Sequence, residues 1–468
     1  MPYAFYRAGW ALSTLTLGFV TVMATLTALW LVDVSLRAQF VKRQLQLIRG
    51  GVEAEGAGDM PVSARVQHRF EVNELVEMFM GLRARRFYEL LVIIYLVGAL
   101  WSYSSVFASS LASHVGIPGI SGECDIYKDG SSSCNNLYLT YMAMFAVVVL
   151  PLTCLDLTEM KAMQIALALF RFVSLLTMMV TSIVAIYSYP NPEPSAHSAP
   201  SKPYYSDMPA FNWAGLGLMF PISIYAQIFH HSVPGLSHPL KDKRQTPRVF
   251  TGVLVTTALL YSALGVTVAA YYGGSIPQTC TLAWANYTGH GGEGSKPGWA
   301  VFIGYLVVLF PPIDIVSAFP LNAITLGNNL LCAFVKDERK QQLKRYKLPF
   351  RFLAAAPPLL GAIVVKDLGV ILKYTGCVGV LIAFVFPCVL QWRSTQMCVQ
   401  MGITTPSDSS SPLLADRAVS ALDSSDDATK VPTYNIPFVS EPKLVYVVMA
   451  FSLVGLVAVI VLSAMGIE

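Results

Sequence analysis

Three stretches of the chain set titratable or hydroxyl-bearing side chains among residues that interrupt helices. The first, FNWAGLGLMFPISIYAQIFHHSVPGL at 211–236, places Ser223, Tyr225, Gln227, His230, His231 and Ser232 between Gly215, Gly217 and Pro221 on one side and Pro234 on the other. The second, FPPIDIVSAFP at 310–320, carries Asp314 and Ser317 among Pro311, Pro312 and Pro320. The third, YTGCVGV at 374–380, offers Gly376 and Gly379. Hydroxyls, amides and imidazoles in apolar surroundings suit the binding of a small charged molecule. No catalytic motif accompanies the His230–His231 pair, so the chemistry expected is recognition rather than bond cleavage, and the chain is not read as an enzyme.

The elements that hold these residues follow from composition. Of 468 residues, 54% are hydrophobic and only 13% charged, and mean hydropathy is +0.55. So few charges cannot cover a water-soluble surface of this size, and a nucleic-acid partner is excluded as well. Crossing ~30 Å of hydrocarbon takes about 20 apolar residues in a helix. Uncharged runs place ten spans near 10–36, 87–114, 136–155, 162–188, 210–233, 249–272, 299–326, 349–366, 368–392 and 443–466. The expected class is an all-α polytopic membrane protein of ten transmembrane helices in one domain.

The distribution of cations orients it. With 37–86 in the cytoplasm, twenty-five of the 32 Lys and Arg fall in the inside loops 37–86, 155–161, 234–248, 327–351 and 391–443. That asymmetry follows the positive-inside rule. Only Arg171 and Lys373 remain within spans; Arg171 either pairs with an acid or snorkels to the interface. Asp314 sits mid-span, where an ionised carboxylate costs on the order of 2.5–3.5 kcal/mol. It therefore faces a polar path or caps a helix restarting after the double proline. Carbonyls freed by the three prolines, with Ser317, form a possible cation site.

Outside, Asn286-Tyr287-Thr288 in the loop 273–298 is a glycosylation sequon, and Cys124 and Cys134 share a loop where a disulfide can form, with Cys280 as a competitor. Inside, 37–86 is a basic loop, and 393–442 is a partly disordered linker rich in Ser and Asp. Its Leu413–Leu414 pair fits an endolysosomal sorting signal or a chance pairing, leaving plasma membrane and endolysosome both open.

The strings PYAFYRAGW (2–10), RFEVNELVEMF (69–79), LLVIIYLVGALWSY (90–103), HSVPGL (231–236) and LFPPIDIVSAFPLNAITLGNNL (309–330), in that order, resemble the amino acid/auxin permease family. The resemblance implies a leucine-transporter-like fold of eleven helices with two five-helix inverted repeats. It also implies a substrate site at breaks in the first and sixth helices. The sequence starts at PYAF, without the first of these and its glycine-containing break; the expectation is either a start at an internal Met or a homologue that has lost a working site. The resemblance makes 210–233 the sixth helix, puts Tyr225 and His231 on positions that the most similar branch of the family also uses, and aligns Ser317 with a small hydroxyl residue that could ligate sodium. Asp314 departs from the pattern; its role in proton coupling is read from the residue itself.

Together these readings give a secondary active transporter of amino acids or related small zwitterions, coupled to sodium or protons and working by alternating access. The substrate is expected beside Ser223, Tyr225, Gln227 and His231, gated by Tyr103, with Asp314 or Ser317 linked to the ion. No cofactor is expected beyond Na+ or H+. The alternative is a transporter-like amino-acid sensor or scaffold without flux, whose cytoplasmic loops recruit regulatory partners.

Overall fold

A computed structural model describes residues 1–49, 70–127, 129–154, 161–188, 208–237, 240, 245–277, 279–285, 287–289, 297–334, 343–401 and 442–464. Asn286, the Leu413–Leu414 pair and most of the linker 393–442 lie outside the described residues. Among those described, the protein is helical and has no strand. The helices are α1 (Pro2–Ala8), α2 (Trp10–Arg49), α3 (Val72–Met80), α4 (Leu82–Ala112), α5 (Ser132–Leu152), α6 (Lys161–Ser188), α7 (Leu216–Gln227), α8 (Val233–Ser237), α9 (Thr246–Tyr272), α10 (Gly298–Phe334), α11 (Leu343–Val364), α12 (Leu368–Val380), α13 (Phe386–Gln400) and α14 (Pro442–Ala464).

Seven segments are long and apolar enough to cross a membrane: 10–42, 82–112, 132–152, 164–187, 246–275, 298–331 and 368–400. Shorter apolar helices cover 348–364 and 443–458. The fifth expected span, 210–233, is not among these: it holds α7 and the turn His230–Ser232, and α8 follows. Hydroxyls inside the long helices are satisfied without water. Thr16, Thr21 and Thr27 of α2 each donate to the carbonyl four residues back, at 2.7 to 2.8 Å, the standard solution for polar side chains at membrane depth.

Two sequence expectations change here. Pro311, Pro312 and Pro320 do not interrupt their segment: α10 runs unbroken from Gly298 to Phe334. Each proline removes one backbone donor, but low-polarity surroundings give the helix no better alternative to its remaining bonds. The basic loop 37–86 is also largely folded where described. α2 continues to Arg49, and α3 buries Val72, Leu75, Val76 and Phe79. Arg37, assigned to that loop, is 3% exposed and donates from Nη1 to Gln391 Oε1 at 2.8 Å and Ser394 Oγ at 3.0 Å on α13.

Close helix contacts depend on glycine. A Cβ on Gly376 of α12 would lie 2.4 Å from the Pro221 carbonyl oxygen of α7, and one on Gly98 of α4 would lie 2.2 Å from Thr375 Oγ1. Thus α12 is wedged between α4 and α7, as its glycines suggested. At Leu381–Val385 a π turn joins α12 to α13 without breaking the rod.

Helix ends are capped by neighbours. Tyr138 OH, Trp101 Nε1 and Ser105 Oγ donate to the carbonyls of Ala362, Val365 and Lys366 at the end of α11, at 2.8, 3.0 and 2.9 Å. Arg351 Nη1 donates to the Thr153 and Cys154 carbonyls that close α5, a favourable place for a cation at the negative end of a helix. At the other end of the sequence, Gly9 turns the chain between α1 and α2 with φ +89°. The first free N–H groups of α2, from Trp10, Ala11 and Leu12, donate to the carbonyls of Pro209 and Ala210. Asn212 returns the contact, its backbone N–H reaching Ala8 O and its Nδ2 reaching Arg7 O, both at 2.8 Å.

A disulfide joins Cys124 to Cys134, while Cys280 stays free and half-buried. The bridge ties the loop after α4 to the first turn of α5, ten residues apart. Closing so short a loop should stabilise by about 2–3 kcal/mol through the unfolded chain. We expect Cys134→Ser to lower the thermal midpoint and to expose Cys124 to maleimide. An unchanged midpoint would show that the bridge adds nothing.

Candidate transport site at the broken helix

The site is built where α7 ends. Ile228 takes an extended conformation (φ −81°, ψ 122°) and Phe229 is also non-helical, after which His230–Ser232 make one 3₁₀ turn into α8. Pro234 lies in the first turn of α8, where its missing N–H is not needed. The interruption therefore falls before it, between Gln227 and His230. Carbonyls of the last turn of a helix have no donors within that helix, so the break exposes backbone acceptors deep in an apolar bundle.

Residues around the break face two ways. On one side Tyr225 and His231 look toward α4. Tyr225 OH is 3.3 Å from Ser102 Oγ and interacts with the Tyr103 hydroxyl. Tyr95 of α4 packs its ring 6.1 Å from Tyr225 and 5.9 Å from His231, centroid to centroid. On the other side Gln227 and His230 look toward α2. Gln227 Nε2 donates to Thr21 Oγ1 at 3.2 Å, and His230 Nε2 lies 2.9 Å from Thr27 Oγ1 and 3.1 Å from the Ala24 carbonyl.

The partners fix the His230 tautomer. Thr27 spends its proton on Met23 O, and Ala24 O can only accept. Nε2 therefore carries the hydrogen and Nδ1 the lone pair. Gln227 Oε1, His230 Nδ1 and His231 Nδ1 are buried atoms with no hydrogen-bond partner among the described residues. Such atoms are costly to leave unsatisfied, and they ring the break.

Of the five residues expected to hold substrate, the structure gathers Tyr103, Tyr225 and His231. It places Gln227 on the opposite face, and Ser223, one turn earlier, donates to Met219 O at 2.8 Å within its own helix. A helix turns 100° per residue, so positions 223 and 227 share a face that position 225 does not. Of the two ion-coupling residues, Ser317 donates to Asp314 O at 2.9 Å and is buried, and its carbonyl accepts from Gln164 Nε2. Asp314 is held by Arg171 of α6, whose Nη2 lies 2.6 and 2.8 Å from the two carboxylate oxygens. Tyr103 of α4 and Tyr261 of α9 both lie within the field of this ion pair. Tyr103 thus connects the ion pair to the break in α7.

Sequence reasoning passed over Thr21 and Thr27, whose hydroxyls look like ordinary helix residues, and Tyr261. A lone tyrosine in the aliphatic run TALLYSALG was the available signal for the last of these.

The family described as "Transmembrane amino acid transporter protein" matches residues 1–397 of the chain. The chain belongs to that family. Relatives extend the likeness beyond the matched region. Transmembrane protein 104 homolog of Dictyostelium discoideum is 24% identical over 470 residues, covering 87% of this chain and 88% of its own length. Transmembrane protein 104 of Homo sapiens is 24% identical over 447 residues, with 86% of each chain covered. The Caenorhabditis elegans homolog is 25% identical over 359 residues, covering 74% of this chain and 68% of its own. Membership and the long apolar helices make this family member an integral, multi-pass membrane protein of a transporter family rather than an enzyme family.

Proposed function

We propose that the chain is a secondary transporter of amino acids or related small zwitterions, working by alternating access and coupled to protons. The observation that carries this reading is the break in α7 at Ile228–Phe229, set against the Tyr95–Ser102–Tyr103 face of α4. Broken helices at membrane depth offer backbone ends to charged groups and act as pivots between inward- and outward-facing states. The transporter family supports the same reading, and a leucine-transporter-like inverted repeat would bring the break to the centre of the bundle.

Of the two coupling ions, sodium is the less compatible with the ion pair. Arg171 already puts a fixed positive charge on both oxygens of Asp314, so this carboxylate offers sodium no unshared oxygen. Ser317 is read as a packing residue of α10. A proton needs only the carboxylate.

The test is uptake of an amino-acid panel into proteoliposomes under imposed proton or sodium gradients. We expect at least one amino acid to be concentrated by the proton gradient alone. Tyr225→Phe should lower uptake efficiency roughly fivefold to tenfold, the effect of one lost hydrogen bond. Ligand-induced thermal stabilisation without flux would instead identify a sensor. Uptake that requires sodium would overturn the coupling assignment.

A further inference from the structure

We propose that Arg171 is the receptor for the carboxylate of the transported substrate, and that Asp314 is its internal competitor, taken out of play by a proton. This rests on the transport reading above and names the chemistry by which substrate and proton are linked.

The geometry of the pair is lopsided. A single guanidinium nitrogen, Nη2, contacts both oxygens of Asp314. Among the described residues the remaining edge of the guanidinium, Nη1 and Nε, has no hydrogen-bond partner. That edge is a two-pronged donor of the shape that grips a carboxylate. About half of the Arg171 side chain (49%) is accessible, against 15% for Asp314. The pair also sits near the middle of two long apolar helices, α6 and α10. A charged group at that depth faces a polar path rather than lipid.

Four helices close around the pair. The groups that face it are Tyr103 from α4 and Tyr261 from α9, both neutral hydroxyls, and Gln164 lies two turns along α6 against Ser317. No further charged side chain acts on it among the described residues. Charge balance is therefore local. With Asp314 ionised the pair is neutral, and a second carboxylate would leave a net negative charge in a medium that penalises it. With Asp314 protonated, the guanidinium is left uncompensated and the incoming carboxylate restores neutrality. One proton enters with one carboxylate and both leave together; counting the pair, the proton and the carboxylate, the charge at this point is the same before and after, and the substrate's ammonium is carried in addition, so each cycle moves one positive charge. Substrate and proton each raise the affinity for the other, as linkage requires. Tyr103, in contact with Tyr225, carries the state of the pair to the break in α7.

The experiment uses the full chain in nanodiscs. Binding of L-alanine, L-leucine and L-glutamine is measured from acidic to alkaline pH beside their carboxamides, which keep the side chain but lose the anion. We expect the amino acids to bind more weakly as pH rises and the carboxamides not to bind. Asp314→Asn, a mimic of the protonated acid, should bind amino acids with no pH dependence, exchange them across proteoliposomes and fail to concentrate them. Arg171→Gln should weaken amino-acid binding by about 30-fold or more, with Arg171→Lys intermediate. Should Arg171→Gln not fold, the carboxamide comparison and Asp314→Asn decide the matter alone. Equal binding of carboxamides, or a pH dependence that survives in Asp314→Asn, overturns the proposal. Uptake unchanged in Arg171→Gln overturns it too, while leaving the transport reading intact. Wild-type protein that takes up no member of the panel, yet binds carboxylates with proton uptake lost in Asp314→Asn, would sink transport and still support this site.

Discussion

Gly376→Ala should be among the most damaging single-methyl additions in the protein, removing about 1–3 kcal/mol of stability and abolishing uptake. The new Cβ would come within 2.4 Å of the Pro221 carbonyl oxygen, with Pro221 Cβ at 2.7 Å. Both obstacles belong to the backbone and ring of α7, so no side-chain rotation relieves them; the helices must part. Overpacking of this kind carries that cost in soluble cores. The site adds a functional penalty, because α7 leads directly into the break. Gly379→Ala supplies the internal comparison. Its Cβ would meet only Ile224 Cγ2 at 3.3 Å and Ile228 Cδ1 at 3.4 Å, flexible side-chain ends. Thermal unfolding and uptake of the two variants should therefore separate clearly, and equal behaviour would show that the α7–α12 contact is not a constraint.

The second large effect separates stability from function at the ion pair. Arg171→Met leaves Asp314 without its counter-charge. Breaking a fully buried pair costs roughly 3–5 kcal/mol. With 49% of Arg171 accessible, about 2–3 kcal/mol is the expected loss after allowing for screening. In the double variant Arg171→Met/Asp314→Leu no charge remains to desolvate, and stability should return to within about 1 kcal/mol of wild type. Uptake should stay absent in both. Denaturation midpoints of the four-member cycle measure the coupling directly. A double variant as unstable as the single one would mean the side chains contribute packing rather than charge.

Much of the architecture was legible because a membrane makes charge expensive. Runs free of Lys, Arg, Asp and Glu mark the long helices, and Gly376 could be read as a contact residue because nothing else suits a backbone-to-backbone approach. That 210–233 is interrupted was legible as well, from polar residues crowded between helix breakers, but not where: Gly217 and Pro221 lie inside α7, and the break falls at Ile228–Phe229. The prolines of α10 misled, since a missing N–H forces a break only where water or another donor rewards it. Arg37 misled for a different reason. Counting cations by loop registers position along the chain, while its buried partners, Gln391 and Ser394, are supplied by a helix more than 350 residues away. The grouping of Ser223 and Gln227 with Tyr225 treated a polar cluster as one surface, and helical geometry divided it. The Arg171–Asp314 bond was left open by sequence because two charges 143 residues apart have no local signature.

The strip Pro209–Asn212 has a mechanical meaning. It accepts from the start of α2 and donates to the end of α1, and Gly215 brings the first turn of α7 against the Arg7–Ala8 backbone. Three helices are riveted together at that corner. The other end of the broken segment is shorter and hinged: beyond Ile228–Phe229 come a single 3₁₀ turn, tied to α2 through His230, and the five residues of α8. The unit is thus an arm anchored at one end and jointed at the other. Whatever opens this bundle should swing α8 outward while α7 keeps its place against α1.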